Sequence, residues 1–69
     1  MRRARPRTGA TVKEGDRIQL GGVWYSVRTA ISDRNRLRHV TGMNEATGRN
    51  VRMRLHPHQD FPVDREEEL

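Results

Sequence analysis

Two adjacent glycines within an alternating stretch constrain the fold of this chain more than any other feature. The stretch covers residues 12–31, VKEGDRIQLGGVWYSVRTAI, and Gly21 and Gly22 divide it into two segments, the second rich in β-branched and aromatic residues. A two-residue loop with positive φ at both positions favours glycine, which has no Cβ to collide with the backbone. The stretch therefore predicts a β-hairpin, and it holds the only tryptophan and the only tyrosine.

The alternation of side chains predicts which face of the hairpin is buried. Ile18 and Leu20 share one side of the first strand, and the second strand is expected to cover residues 23–31. On strict alternation its core side holds Val23, Tyr25, Val27, Thr29 and Ile31, and its outer side holds Trp24, Ser26, Arg28 and Ala30. Trp24 is then expected beside Arg28 or at a barrel edge, and burial through a bulge or barrel curvature is the alternative.

Three further strands are predicted after the hairpin. The first covers residues 37–43, and the second, residues 50–56, alternates apolar residues with Arg52, Arg54 and a histidine. The third is a short closing strand in which Phe61 and Val63 enter the core and Pro62 faces outward. Five short strands separated by such turns predict an all-β fold, specifically a small five-stranded SH3-like barrel.

The strand over residues 37–43 breaks the alternation, because Leu37 and Val40 have opposite parity. A bulge or a late strand start would repair it. If Val40 faces the core, Arg38 and Gly42 do so too, and a buried arginine is unfavourable. The register of this strand therefore stays open.

Turn residues support the same strand boundaries. Gly15 is expected to supply an unusual backbone angle, and Asp16 to cap that turn through its side chain. In the segment NEATGR, residues 44–49, Gly48 occupies the position that needs positive φ.

The order of these segments also carries a family resemblance. KEGDRI, GGVWYSV and NEATGRNVRMRL follow one another over residues 12–56, and this order resembles the N-terminal SH3-like, KOW-related domain of elongation factor P. The resemblance implies a small barrel and a general tendency to bind nucleic acid. It does not imply an elongation-factor role, because the loop that carries a modified lysine in that family corresponds to residues 32–36, which contain arginines and no lysine.

Charge divides the chain into three parts. Residues 1–11 carry four arginines and are expected to be a disordered basic arm, residues 12–63 form the barrel, and residues 64–69 form an acidic tail. The formal net charge is +5. Residues 1–11 carry +4 and residues 60–69 carry −4, so these ends cancel and the excess belongs to residues 12–59. Such a charge favours an anionic partner. The bias towards arginine over lysine reflects codon usage in a GC-rich genome, selection for guanidinium groups that bind phosphate, or both.

Several function classes find no support in the sequence. Without cysteine there is no disulfide framework or thiolate metal site. His56, His58 and Asp60 are too few ligands for a predicted metal site, no cofactor motif is present, and no nucleophile has a convincing base, so an enzyme is not expected. No apolar run is long enough to span a membrane, which predicts a soluble cytoplasmic protein.

Two functions remain as hypotheses. In the first, a weakly sequence-specific accessory module binds RNA or DNA through an arginine-rich face. Its expected site residues are Trp24, Tyr25, Arg28, Arg34, Arg36, Arg38, Arg52 and Arg54, with the two aromatic residues as stacking platforms. In the second, the barrel docks an acidic segment of a larger transcription, translation or phage assembly. Composition suits an accessory protein of a phage, plasmid or actinobacterium, as a monomer or weak dimer.

Overall fold

Six antiparallel strands form one sheet in the computed structural model of this chain, which describes residues 2–66. The strands are β1 (Arg2–Thr8), β2 (Arg17–Leu20), β3 (Val23–Ser32), β4 (Arg38–Asn44), β5 (Asn50–Leu55) and β6 (Asp60–Glu66), and a 3-10 turn (Gly9–Thr11) follows β1. Their order across the sheet is β1-β6-β2-β3-β4-β5. The all-β prediction is confirmed, but there are six strands rather than five and the sheet is not closed. No helix among residues 2–66 has the length and apolarity needed to cross a membrane.

The central hairpin forms as its glycines predict. Ile18 pairs with Tyr25, and the connecting residues Gly21 and Gly22 have φ of 57° and 79°. Gly15 and Gly48 also have positive φ, at 92° and 75°. These angles place glycine where a Cβ would strain the backbone, so the predicted turns are confirmed.

The N-terminal segment corrects the prediction of a disordered arm. Residues 2–8 form β1, which pairs along its whole length with β6 and occupies one edge of the sheet. A polar segment needs no core of its own when its backbone bonds to a strand that is already anchored, and Phe61 and Val63 anchor β6 in the core. The absence of an apolar run therefore did not indicate disorder.

The predicted acidic tail is also divided differently. Residues 64–66 belong to β6 and pair with β1, and Asp64 also lies opposite Arg17 of β2. The rest of the predicted tail, residues 67–69, lies outside the described residues. The boundary between barrel and tail expected at residue 64 therefore falls within a strand.

A β-bulge in β3 corrects the predicted faces of that strand. The register with β4 shifts between Val27 and Thr29, which leaves Arg28 outside the ladder and reverses the parity of the following residues. Ala30 therefore packs against the core, whereas Ile31 is 68% exposed. Strict alternation had placed Ile31 inside and Ala30 outside.

The core lies on the inner side of the sheet and is small. Its buried apolar members are Val12, Ile18, Val27, Val40, Leu55, Phe61 and Val63. Gly9 lies at one end of the core and packs closely against the chain after β5. A Cβ at this position would collide with the carbonyl oxygen of His56. Pro62 is exposed between Phe61 and Val63, as predicted, although its strand lies inside the sheet rather than at an edge.

Amide hydrogen exchange tests the pairing of β1. Pro6 lies opposite Pro62, and because neither has an N–H, the pair fits only a non-hydrogen-bonded position. The amides of Arg5 and Arg7 then bond to β6, while those of Ala4 and Thr8 face the free edge. We expect slow exchange at Arg5 and Arg7 and fast exchange at Ala4 and Thr8, measured by NMR. Fast exchange at all four amides would contradict the pairing and support the predicted disordered arm.

A matched pair of isoleucine substitutions tests the bulge. Ile18 is fully buried, so Ile18→Val should lower the free energy of unfolding by about 0.5–1.5 kcal/mol. The same change at the exposed Ile31 should cost less than about 0.5 kcal/mol. Urea denaturation followed by Trp24 fluorescence measures both. Equal losses would contradict the register shift and favour strict alternation.

Candidate nucleic-acid interface

The outer side of β3, β4 and β5 carries most of the predicted site residues. We define the basic face as Arg28, Thr41, Asn50, Arg52 and Arg54. The ladder places Thr41 directly opposite Arg52, and His39 opposite Arg54. Side chains two residues apart on one strand are separated by about 6.6–6.8 Å, so Arg52 and Arg54 form a short row along β5, where both are exposed.

The β-bulge positions Arg28 on this face. Its Nη2 lies 3.8 Å from Sδ of Met43, so the guanidinium reaches over β4. Together with Thr41 and Asn50 it lines an open pocket of about 480 Å³. The hydroxyl of Thr41 is itself held by a 2.6 Å hydrogen bond with the hydroxyl of Thr29. The pocket therefore combines a cation, a hydroxyl and a carboxamide.

The arginines of the basic face make no ion pair with any carboxylate among residues 2–66, in contrast to Arg17 and Arg65. The same is true of Arg34 and Arg36 in the loop after β3, both exposed. Guanidinium groups without a carboxylate partner keep most of their donors available for an external anion; that of Arg28 uses one donor on Sδ of Met43. The structure thus brings five of the predicted arginines, Arg28, Arg34, Arg36, Arg52 and Arg54, to exposed positions on β3–β5 and their connecting loop.

The neighbouring part of the outer side is neutralised internally. Arg17 donates to both carboxylate oxygens of Glu45 at 2.8 and 2.7 Å and to Asp64 at 2.7 Å, and Ser26 also donates to Glu45. These hydrogen bonds, first that of Glu45 and then that of Asp64, raise the pKa of Arg17. We call these four residues the Arg17 network. An arginine held in this way is not available to a phosphate.

The two aromatic residues end on opposite sides of the sheet. Trp24 lies on the outer side, where the guanidinium carbon of Arg17 is 4.8 Å from the ring centroid. A cation in this position occupies one face of the indole. Tyr25 faces inward and packs against the core, so it offers no stacking platform on the outer side. The outward placement of Trp24 agrees with strict alternation, but its partner is Arg17 rather than Arg28.

Arg38 is the predicted site residue that the fold uses internally. Val40 and Gly42 are buried, so Arg38 shares their side of β4. Its Nε and Nη2 donate to the carbonyl oxygen of Val12 at 2.9 and 2.8 Å, and Nη1 donates to Ser32. The guanidinium therefore closes one end of the core, and Arg38 is removed from the candidate interface.

The loop that carries Arg34 and Arg36 is fixed by Asp33. Oδ1 of Asp33 accepts hydrogen bonds from the backbone N–H groups of Asn35 and Leu37, and Oδ2 lies 2.7 Å from Nε2 of His39. The hydrogen bond with His39 is the largest cause that lowers the pKa of Asp33, and the two backbone bonds act in the same direction. Arg36 has a φ of 65°, which completes the tight turn.

The histidines of the C-terminal half do not gather into a metal site. The rings of His56 and His58 lie 6.0 Å apart. Among residues 2–66 no group of three or more histidine, cysteine, aspartate or glutamate side chains is placed to hold a metal ion.

Thr41 and Asn50 line the pocket beside Arg28 but are absent from the predicted site residues. Neither carries a charge, and each sits in a segment whose arginines dominated the prediction. The signal that could have found them is parity, because Thr41 alternates with Val40 and Asn50 alternates with Val51. Their meeting beside Arg28 depends on the bulge, which parity does not predict.

Comparisons with protein families, with curated proteins and with solved structures found no significant match to this chain. The resemblance to the elongation factor P domain therefore stays a prediction.

The pH dependence of stability tests the role of Asp33. Because the folded-state pKa of Asp33 lies below that of the unfolded chain, its ionised form stabilises the fold above the unfolded value of about 3.9, and the contribution is lost as pH falls through the folded-state pKa. Asp33→Asn keeps an oxygen that can accept from Asn35 and Leu37 but removes the charge. We expect wild type to exceed this variant in free energy of unfolding at about pH 6, and the difference to shrink as the pH falls through the folded-state pKa of Asp33. Urea titrations at several pH values measure it; a constant difference would contradict the assignment.

Proposed function

We propose that this protein is a small, non-enzymatic module that binds RNA or DNA through the basic face and the adjoining loop. The observation that carries the proposal is the gathering of Arg28, Arg52 and Arg54 on one side of a sheet with no carboxylate partner among the described residues. Phosphate groups are the abundant ligands that match unpaired guanidinium groups. Binding of this kind is driven by counterion release and depends little on sequence.

The spacing of the cations supports a nucleic-acid backbone over a single anion. Arg52 and Arg54 are about 6.6–6.8 Å apart along β5, which is close to the separation of successive phosphates on one strand. Arg34 and Arg36 extend the positive charge beyond the end of β3, where the loop is fixed by Asp33. An extended polyanion contacts such a row at several points, whereas a small anion contacts one.

The Arg17 network supports a defined path for the ligand. Because Glu45 and Asp64 neutralise Arg17, the positive potential of the outer side is concentrated over β3–β5. A polyanion is attracted to that half and finds carboxylates in the other. We expect Trp24 to lie at the edge of the interface rather than within it, because Arg17 already lies against its ring.

We also infer that the sheet is a variant of the SH3-like architecture. In support, residues 17–55 form a meander of four consecutive strands, and the 3-10 turn after β1 lies against the connection that follows the meander. The N–H of Gly9 donates to Gln59, and that of Ala10 donates to Pro57. These bonds bring the end of β1 to the β5–β6 connection, as a strongly bent sheet requires.

A second candidate function has one observation in its favour. Ile31 is 68% exposed and lies opposite His39, which in turn lies opposite Arg54. The basic face therefore has an apolar residue near its edge. An acidic protein segment with one apolar side chain would use both. In this alternative the chain docks a partner protein, and Ile31 contributes to affinity.

Titration of nucleic acid against a pair of double variants tests the proposal. Arg52→Ala/Arg54→Ala should weaken binding of a dye-labelled single-stranded 12-mer on the order of tenfold at low salt, and lower the slope of log affinity against log salt by about two. The matched control is Arg3→Ala/Lys13→Ala, which removes the same charge from exposed positions outside the basic face. Fluorescence anisotropy at about 50 and 150 mM salt measures all three proteins.

The outcomes separate the two candidate functions. Equal weakening by both double variants would mean that net charge alone attracts the ligand, and would overturn the basic face as the site. If wild type fails to bind any oligonucleotide at low salt but binds a fluorescent glutamate-rich peptide, and Ile31→Ser weakens that binding, the protein-docking alternative replaces the proposal.

A further inference from the structure

The pocket at the centre of the basic face differs chemically from the arginine row beside it. Arg28, Thr41 and Asn50 line it, and only the first of these is charged. A site for phosphate alone is expected to gather cations and backbone N–H groups. Asn50 instead offers a donor and an acceptor side by side, and a phosphate can use only the donor.

We infer that this pocket holds one unpaired nucleobase, so that the preferred ligand is single-stranded RNA or DNA; the inference rests on the proposed function and names the part of the ligand that the pocket contacts. A carboxamide pairs with the edge of a base through its adjacent donor and acceptor. A hydroxyl can donate or accept one further hydrogen bond. A guanidinium can stack on the ring of the base or donate hydrogen bonds to its acceptor atoms.

The fold holds Arg28 and Thr41 in place before any ligand arrives, and it fixes the backbone that carries Asn50. The bulge lifts Arg28 out of the β3 ladder, and the contact with Met43 draws its guanidinium over β4. The Thr29 hydroxyl fixes that of Thr41 at 2.6 Å. Asn50 begins β5 opposite Met43, where the ladder sets its backbone. Side chains that are ordered in advance lose less entropy on binding.

The position of the pocket explains why the base must be unpaired. The pocket opens on the outer side of three adjacent strands, whose width is about 10 Å at roughly 4.8 Å per strand. In a duplex the base edges lie at the floor of a groove, which admits a helix or a two-stranded ribbon. A recess in a broader surface cannot reach them, whereas a base turned out from a single strand can enter. Arg52, directly opposite Thr41, then lies beside the phosphate of the same nucleotide.

Two substitutions that spare the charge test the inference. Asn50 is exposed at a strand end, so Asn50→Ala should fold normally, and Thr41→Val keeps the shape of a β-branched residue while removing the hydroxyl. The ligands are dye-labelled dA10, dC10 and dT10, their RNA counterparts and a mixed-sequence duplex. Gln59→Ala is the matched control, because Gln59 is an exposed amide in the turn before β6.

We expect wild type to bind one homopolymer at least about fivefold more tightly than the other homopolymers, and at least about fivefold more tightly than the duplex. This factor is the lower end of the discrimination that one good side-chain pair with a base contributes. Asn50→Ala and Thr41→Val should reduce both ratios without changing the salt slope, and Gln59→Ala should change neither. Arg52→Ala should weaken every ligand by a similar factor and lower the slope by about one.

The failure of this inference is distinguishable from that of the proposed function. If Asn50→Ala and Thr41→Val leave every dissociation constant unchanged while Arg52→Ala weakens all of them, the pocket is overturned and the basic face stands. If wild type binds the duplex as tightly as the single strands, the requirement for an unpaired base is overturned. If wild type binds none of them at low salt, the proposed function fails and the pocket fails with it.

Discussion

The fold depends on one buried ion pair, between Asp16 and Arg65. The Asp16 side chain is 1% exposed, and its oxygens accept from Nε and Nη2 of Arg65 and from the N–H of Lys13. Arg65 also donates to the carbonyl of Thr11, and the backbone of Asp16 bonds to Val27. A buried carboxylate costs several kcal/mol unless it is satisfied in this way, and removal of one partner costs about 3–5 kcal/mol. The pair therefore joins β6, the 3-10 turn and the start of the hairpin in a protein whose apolar core is small.

Local signals in the sequence predicted the turns and the clean strands, and long-range pairing determined the rest. The Gly21-Gly22 pair is enough to predict positive φ in the hairpin turn, and Gly15 with Asp16 is enough to predict the capped turn before β2. Both features are therefore predictable from adjacent residues. β1 was not, because its stability comes from β6, more than fifty residues later in the chain. The bulge in β3 was missed for a similar reason, since the register is set against β4 rather than by the alternation of β3 itself.

The same distinction applies to the candidate site. Arg52 and Arg54 were placed on an exposed face by the period of β5 alone, and the structure agrees. Arg38 is a predicted interface residue, but its guanidinium donates to the carbonyl of Val12 at the end of the core, a long-range contact that the alternation of β4 does not reveal. The pocket required three strands to meet in register, and no single segment contains that information.

The opposed prolines of β1 and β6 also bear on how this protein behaves at high concentration. Along the outer edge of β1 the backbone groups of residues 4, 6 and 8 point to solvent, and the middle one, Pro6, has no hydrogen to donate. A strand from a second molecule would lose its central bond there, and the arginines of two such strands would repel each other. Growth of the sheet from molecule to molecule is thus discouraged at this edge.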